Sequence, residues 1–484
     1  MRETTPSPRR WWALAVIGLA QFMVIMDTSI IGVALPKMQA DLGFSPANLS
    51  WVFNAYVVAF GGLLLLGGRL SDLFGGRRVF TVGWAVLLGG SALSALAGTA
   101  EVELLGRAVQ GMGAAMIAPA ALTLLMMLFG QDPRELTKAI ALYGAAAPAG
   151  GTAGVFLGGV ITQWLSWPWI FWLYVPIALA ALIAIPAVMP PGRGGRGSVD
   201  VTGAVAVTAG LALAVFAIVR APAEGWASAG TLVPLAAAAA LLAGFVAIEA
   251  HRRAPLVRLG IFRAPNLGAA NLAQLLLGAA WIPMWFFLNL YLQQVLGYGA
   301  FAGGAALLPM TVAIMVLMVV VAPRVIARFG VKSPTVAGLL ILASGLVWLS
   351  FARPNGNFTV DVLGPSLLAA AGMALAFIPS LGTALSSTRP EEGGLASGIV
   401  NTSYQVGSAL GLAAVTALAT LHGAGQVDDR IALTNGFSAA FLGAAGIAAA
   451  GALLAWLFLR RPAGPAPQDA DEPAQSVSEP RSAH

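Results

Sequence analysis

Residues 21–36 read QFMVIMDTSIIGVALP, and one carboxylate, Asp27, interrupts an apolar run that extends from Trp12 to Leu35. The run exceeds the roughly 20 apolar residues that a membrane-spanning helix needs. Counted from Trp12 at a rise of about 1.5 Å per residue, Asp27 falls about 22 Å along the helix, inside a hydrocarbon layer about 30 Å thick. An ionised side chain at that depth is costly, so it faces the protein interior and marks a pathway for ions or protons by default. The competing reading is a neutral acid that braces a neighbouring helix.

The rest of the chain fits a polytopic membrane protein and excludes a soluble core, since 58% of its 484 residues are hydrophobic and 10% are charged. There is no cysteine, which rules out disulfides and thiolate-bound metal. His251, His422 and His484 form no metal-ligand spacing. The net charge of +6 sits in short basic clusters between apolar runs, where it reports topology and not nucleic-acid binding. Arg2, Arg9 and Arg10 precede the first apolar run as in a signal peptide, but the run is too long for one and shows no clear small-residue cleavage site, so it reads as a retained helix.

Apolar windows predict fourteen helices, near 12–35, 50–68, 79–98, 103–128, 137–161, 169–189, 201–220, 231–250, 267–296, 303–323, 334–352, 362–386, 395–420 and 437–459. An even number puts both termini on one side. Of the 26 Lys and Arg residues, all but Lys37, Arg107, Arg220, Arg353 and Arg430 fall on the terminus side, which makes that side cytoplasmic.

Four further stretches carry candidate function. The turn at 68–78, GRLSDLFGGRR, is echoed at 324–332 as RVIARFGVK, which indicates duplicated halves. Gly68 and Gly75 allow a tight reversal, Asp72 is placed to accept charge-assisted bonds, and Arg77 and Arg78 complete a turn read as gating or bundle-locking, with a plain basic, positive-inside turn as the competing reading. Residues 105–113, LGRAVQGMG, place Arg107 and Gln110 inside the fourth helix; Glu101 and Glu103 are read as marking its outer end, toward which Arg107 could alternatively snorkel. Gly150, Gly154 and Gly158, with Gly159, make a smooth stripe for close packing on the fifth helix. In the second half no intramembrane acid is expected: Asp361 and the Glu391–Glu392 pair fall at helix ends or in loops. The polar groups there are amides, so Asn271, Gln274, Asn289, Gln293, Asn401 and Gln405 are candidates to line a cavity, together with Asn54, Gln110 and the aromatic Trp285, or else to bond between helices.

In this order the stretches resemble the major facilitator superfamily, specifically its fourteen-helix drug:proton antiporter branch. Residues 27–36 resemble the first-helix motif LDxTxxNxALP, 68–78 the loop motif GxLaDrxGrk, 107–113 the motif RxxqGxG, 150–159 the antiporter motif gxxxGPxxGG, and 394–410 the late GxxxNxxxqxG stretch. The chain departs from these patterns at Ser29 for Thr, at Gly32 for Asn, at Leu73 and Gly76 for basic residues, and at Val155 for Pro. It departs too at Pro168 and Tyr174, where the family usually has Arg and Asn.

The resemblance implies an all-α membrane fold with two pseudo-symmetric six-helix bundles around a central cavity. Residues 1–11 are then a cytoplasmic N-terminus and 12–190 the first bundle. A linker and two extra helices occupy 191–264, the second bundle 265–460, and a disordered cytoplasmic tail 461–484. It implies a proton-coupled exporter of amphiphilic, drug-like compounds in a bacterial inner membrane, with Asp27 and Arg107 in proton coupling, the proton as coupling ion, no cofactor, and a monomer in the bilayer. An uncoupled facilitator of a small metabolite and a non-transporting receptor are the alternatives. A membrane enzyme is disfavoured, since the runs hold no nucleophile, metal cluster or paired catalytic acids.

Overall fold

In hydrocarbon every backbone N–H and C=O must be satisfied within the protein, so long apolar runs become helices. The structure, a computed structural model, describes residues 9–46, 48–129, 131–190, 201–252, 260–261, 264, 266–386 and 393–460. Among them, fourteen helices are long and apolar enough to cross a membrane. These are α1 (Arg9–Leu42), α2 (Trp51–Ser71), α3 (Gly76–Ala95), α4 (Ala100–Phe129), α5 (Leu142–Trp164), α6 (Pro168–Val188) and α7 (Thr202–Ala221). They continue as α8 (Ala229–His251), α9 (Leu267–Val295), α10 (Ala300–Phe329), α11 (Lys332–Leu349), α12 (Phe358–Ala384), α13 (Gly398–Ala424) and α14 (Arg430–Phe458).

Helix α1 packs along α5, α4 lies against α2 and α3, and in the second half α9 packs on α13 and α14, with α11 on α12. The halves touch along α5 and α10, along α2 and α13, and between α1 and α9. The extra pair does not stand apart: α7 lies against both α2 and α13, and α8 packs on α7 with its remaining surface turned outward. The echoed turns share a backbone feature, a left-handed glycine at the reversal, with φ of 89° at Gly75 and 72° at Gly330. An L side chain is strained there, which is why both phrases keep glycine.

Two elements depart from the sequence reading. Helix α1 continues past Pro36 to Leu42 because neighbours hold its extension: Lys37 Nζ donates to the Thr162 carbonyl at 2.5 Å, and Trp167 Nε1 donates to Asp41 Oδ2 at 2.8 Å. Helix α12 starts at Phe358 with a π-helical turn, which takes Asp361 into the helix's first turn and buries it. Asp361 thus falls at a helix end, as the sequence reading has it, but buried there. Asp361 is tolerated because Arg353 Nε and Nη2 donate to its two oxygens at 3.1 and 2.8 Å, and the Asn357 N–H donates at 2.7 Å. The Glu391–Glu392 pair lies outside the described residues.

Candidate functional site: a buried ion pair between α1 and α4

Arg107 and Asp27 meet in the core of the first half, both essentially sealed from solvent. Arg107 Nη1 donates to Asp27 Oδ1 at 2.9 Å, and Nη2 lies 2.8 Å from Oδ2. Nε and Nη1 make further bonds, while Nη2 forms no well-aligned hydrogen bond among the described residues. Nε donates to the Val52 carbonyl at 3.0 Å and Nη1 to Gln110 Oε1 at 2.8 Å, while Gln110 Nε2 donates to Ser91 Oγ at 2.9 Å. The rings of Tyr56 and Phe171 cover the cation at 4.8 and 5.9 Å. Arg107 thus ties α4 to α1 and α2 directly, and through Gln110 to α3.

Small residues bring these backbones close enough. A Cβ at Gly111 would lie 2.3 Å from the Tyr56 carbonyl, and one at Gly106 would lie 2.3 Å from Ser94 Oγ. The stripe on α5 makes the matching approach to α1: Cβ atoms at Gly150, Gly154 and Gly158 would stand 2.3, 2.7 and 2.9 Å from the carbonyls of Phe22, Met26 and Ile30. Helix α1 therefore lies in a trough of glycine on one side while α4 holds its carboxylate on the other.

The remaining candidates separate by partner. Around the turn at 68–78, Arg77 Nη1 donates to the Met189 carbonyl at 3.0 Å at the end of α6, Arg78 is exposed, and a Cβ at Gly68 would meet Pro119 at an ordinary 3.7 Å. The close approach there belongs to Gly67, whose Cβ would lie 2.0 Å from the Ala115 carbonyl. The Asp72 side chain lies outside the described residues. Gly159 lies on the seam between halves, where a Cβ would meet Ala300 and Phe301 at 3.0 Å.

Several of the amides act as braces. Gln274 Nε2 donates to Ser380 Oγ at 3.0 Å and to the Phe377 carbonyl at 3.1 Å, and Ser403 Oγ donates to Asn271 Oδ1 at 3.0 Å. Asn289 Nδ2 folds back on the Trp285 carbonyl at 2.8 Å. Gln405 packs on α2, where a Cβ at Gly61 would stand 2.9 Å from its own Cβ, and Asn401 is an exposed position that has an interaction partner. Gln293 Nε2 reaches across the halves to the Val33 carbonyl at 3.1 Å, and Gln294 Nε2 to Gln39 Oε1 at 3.0 Å. Both glutamines sit on a π-helical turn, Tyr291–Val295, which adds a residue per turn and re-aims the side chains at the end of α9. Trp285 lies against Gly32 of α1. Asn54 is fully buried, and among the described residues its amide has no hydrogen-bond partner.

One residue read as an end marker is placed differently. Glu101 is exposed, but Glu103 is completely buried, one helical turn before Arg107. The signal available was spacing: residues i and i+4 share a helix face, so an acid four before an interior Arg faces inward with it.

Fourteen helices long and apolar enough to cross a membrane, with a charge pair buried in the first half, mark a multi-pass membrane protein. The chain belongs to the Major Facilitator Superfamily, whose model matches residues 17–412 and 324–482. It is 40% identical over 437 residues to the cephamycin export protein CmcT of Amycolatopsis lactamdurans, covering 90% of this chain and 89% of that protein. It is 34% identical to the puromycin resistance protein pur8 of Streptomyces alboniger (94% and 92% covered) and 32% identical to the lincomycin resistance protein of Streptomyces lincolnensis (96% and 95%). In fold it is similar to an auto-inhibited POT family peptide transporter (TM-score 0.71, 16% identity, 95% and 99% covered). It is also similar to the nucleoside transporter NupG (TM-score 0.65, 13% identity, 93% and 100% covered). Family and relatives are transporters, not enzymes.

Proposed function

We propose that this chain exports antibiotic-like, amphiphilic small molecules across a bacterial inner membrane in exchange for protons, with both termini in the cytoplasm. The observation that carries the proton half is the Asp27–Arg107 pair, a carboxylate and its counter-ion sealed inside the first half. A ligand shifts a conformational equilibrium only by as much as its affinity differs between the two states. Protonation of Asp27 supplies such a difference, because it cancels the charge that holds Arg107 to α1. The relatives named for cephamycin export, puromycin resistance and lincomycin resistance support the substrate class and the outward direction. The asymmetry of Lys and Arg between the two sides supports the orientation.

The test is proton flux in proteoliposomes under an imposed pH gradient, with puromycin and a cephamycin as probes. The reading requires that a probe dissipate the gradient through the native protein and that Asp27→Asn abolish the response while eluting as a folded, monodisperse species. Probe movement that is equally fast in Asp27→Asn and indifferent to a protonophore would establish an uncoupled facilitator instead.

A further inference from the structure

Glu103 is the buried charge-bearing group of the first half that the Asp27–Arg107 pair leaves unused. It is 0% exposed, and neither carboxyl oxygen accepts a well-formed hydrogen bond among the described residues, although the Ser94 hydroxyl of α3 lies beside it. It stands four residues before Arg107 on the same face of α4, with Arg107 and Asp27 as its charged neighbours. Tyr56 of α2 and Tyr174 of α6 are the other titratable groups around the pair; neither hydroxyl makes a well-formed hydrogen bond among the described residues, although that of Tyr174 lies beside Asp27.

A buried guanidinium needs one carboxylate, and a second carboxylate without donors of its own is too costly to leave ionised. Here two carboxyls share one cation. We propose that Glu103 is a second proton-binding carboxyl that trades Arg107 with Asp27: when Asp27 takes up a proton and releases the guanidinium, Glu103 gives up its own and becomes the counter-ion.

The exchange balances. Glu103 protonated with Asp27 ionised becomes Glu103 ionised with Asp27 protonated, Arg107 keeps its charge throughout, and the core stays neutral in both states. The trade also removes an obstacle to coupling through Asp27 alone, in which protonating Asp27 would leave Arg107 without a counter-ion in an apolar core. Glu103 sits in the first turn of α4, nearer than Arg107 to the side remote from the chain termini, so the two carboxyls lie at different depths along one route.

This inference deepens the proton-coupling reading, and its test needs no transport. Infrared spectra of the purified protein in lipid at neutral pH, with glutamate isotopically labelled, report the C=O stretch of a protonated Glu103. The native protein is expected to show that band and Glu103→Gln to lose it. Asp27→Asn is expected to abolish it as well, because the freed guanidinium then takes Glu103 as its carboxylate. Arg107→Gln gives the reverse result should Asp27→Asn fail to fold: Glu103 keeps its band and Asp27 acquires one.

A Glu103 band that is missing from the native protein, or that is unchanged in Asp27→Asn, overturns the trade. So does Arg107→Gln without a new Asp27 band. If the bands behave as expected and no probe moves protons in proteoliposomes, coupled export fails while the trade stands.

Discussion

The indole of Trp285 on α9 occupies the space that a side chain at Gly32 on α1 would need: a Cβ built there would lie 2.1 Å from Cζ3 and 2.5 Å from Cη2. Gly32 stands five residues after Asp27, where the first-helix motif usually carries Asn, so the departure from the pattern is matched by a bulky residue in the opposite half. Gly32→Ala is expected to destabilise this packing by about 1–3 kcal/mol, as overfilled cores do. Adding Trp285→Ala should recover part of the loss. Thermal unfolding of the purified single and double variants measures the coupling, and strictly additive losses would show that the two positions do not share a socket.

Arg107→Lys is expected to behave as a severe change although it keeps the charge. The guanidinium binds Asp27, the Val52 carbonyl and Gln110 at once under two aromatic rings, and one ammonium cannot reproduce that fork. A loss of about 1–3 kcal/mol in stability and about tenfold or more in transport rate is expected. Melting curves and initial rates in proteoliposomes check the two effects separately. Native-like rates in Arg107→Lys would mean that only a positive charge is required.

The spans were legible because a membrane helix is written as one unbroken apolar run, and Asp27 and Arg107 stood out against those runs. Glu103 did not, since three residues from a helix start and beside Glu101 it reads as a solvated end. Two positions on a helix point about 200° apart, which is why one of these acids is exposed and the other sealed. The amides were legible as polar and illegible as to purpose. Whether Gln274 lines a cavity or bonds Ser380 depends on where α12 comes to lie, and nothing local in the sequence states that. The contact between Gly32 and Trp285 was out of reach for the same reason. The burial of Asp361 was not legible because a π-helical turn starts α12 four residues before the apolar window does.

Asp361 and Arg353 form an uneven pair, and the two partners should respond unequally to substitution. The carboxylate side chain is 4% exposed and the guanidinium side chain 62%. Bonding to Asp361 holds the Arg353 guanidinium even further above its usual range, so the cation stays charged at every accessible pH. Asp361→Asn leaves a buried site short of an acceptor for Arg353 and for the Asn357 N–H, whereas Arg353→Gln trims an arm that water can replace. The melting temperature is expected to fall further for Asp361→Asn than for Arg353→Gln. Equal falls would show that the pair matters mainly for its exposed charge.

The glycine trough beneath α1 makes a graded prediction. The distances from hypothetical Cβ atoms to the α1 carbonyls increase from Gly150 at 2.3 Å through Gly154 at 2.7 Å to Gly158 at 2.9 Å. Alanine is therefore expected to cost most at Gly150 and least at Gly158, within about 1–3 kcal/mol each. Gly89 on α3 is the control, because a Cβ there meets nothing within 4 Å, and Gly89→Ala should be neutral or stabilising by up to about 1 kcal/mol. Melting temperatures of the four variants give the order directly. If alanine lowered stability equally at all four positions, the effect would belong to helix glycines in general. The ordered series instead assigns it to the approach of α5 to α1, and so to the placement of the helix that carries Asp27.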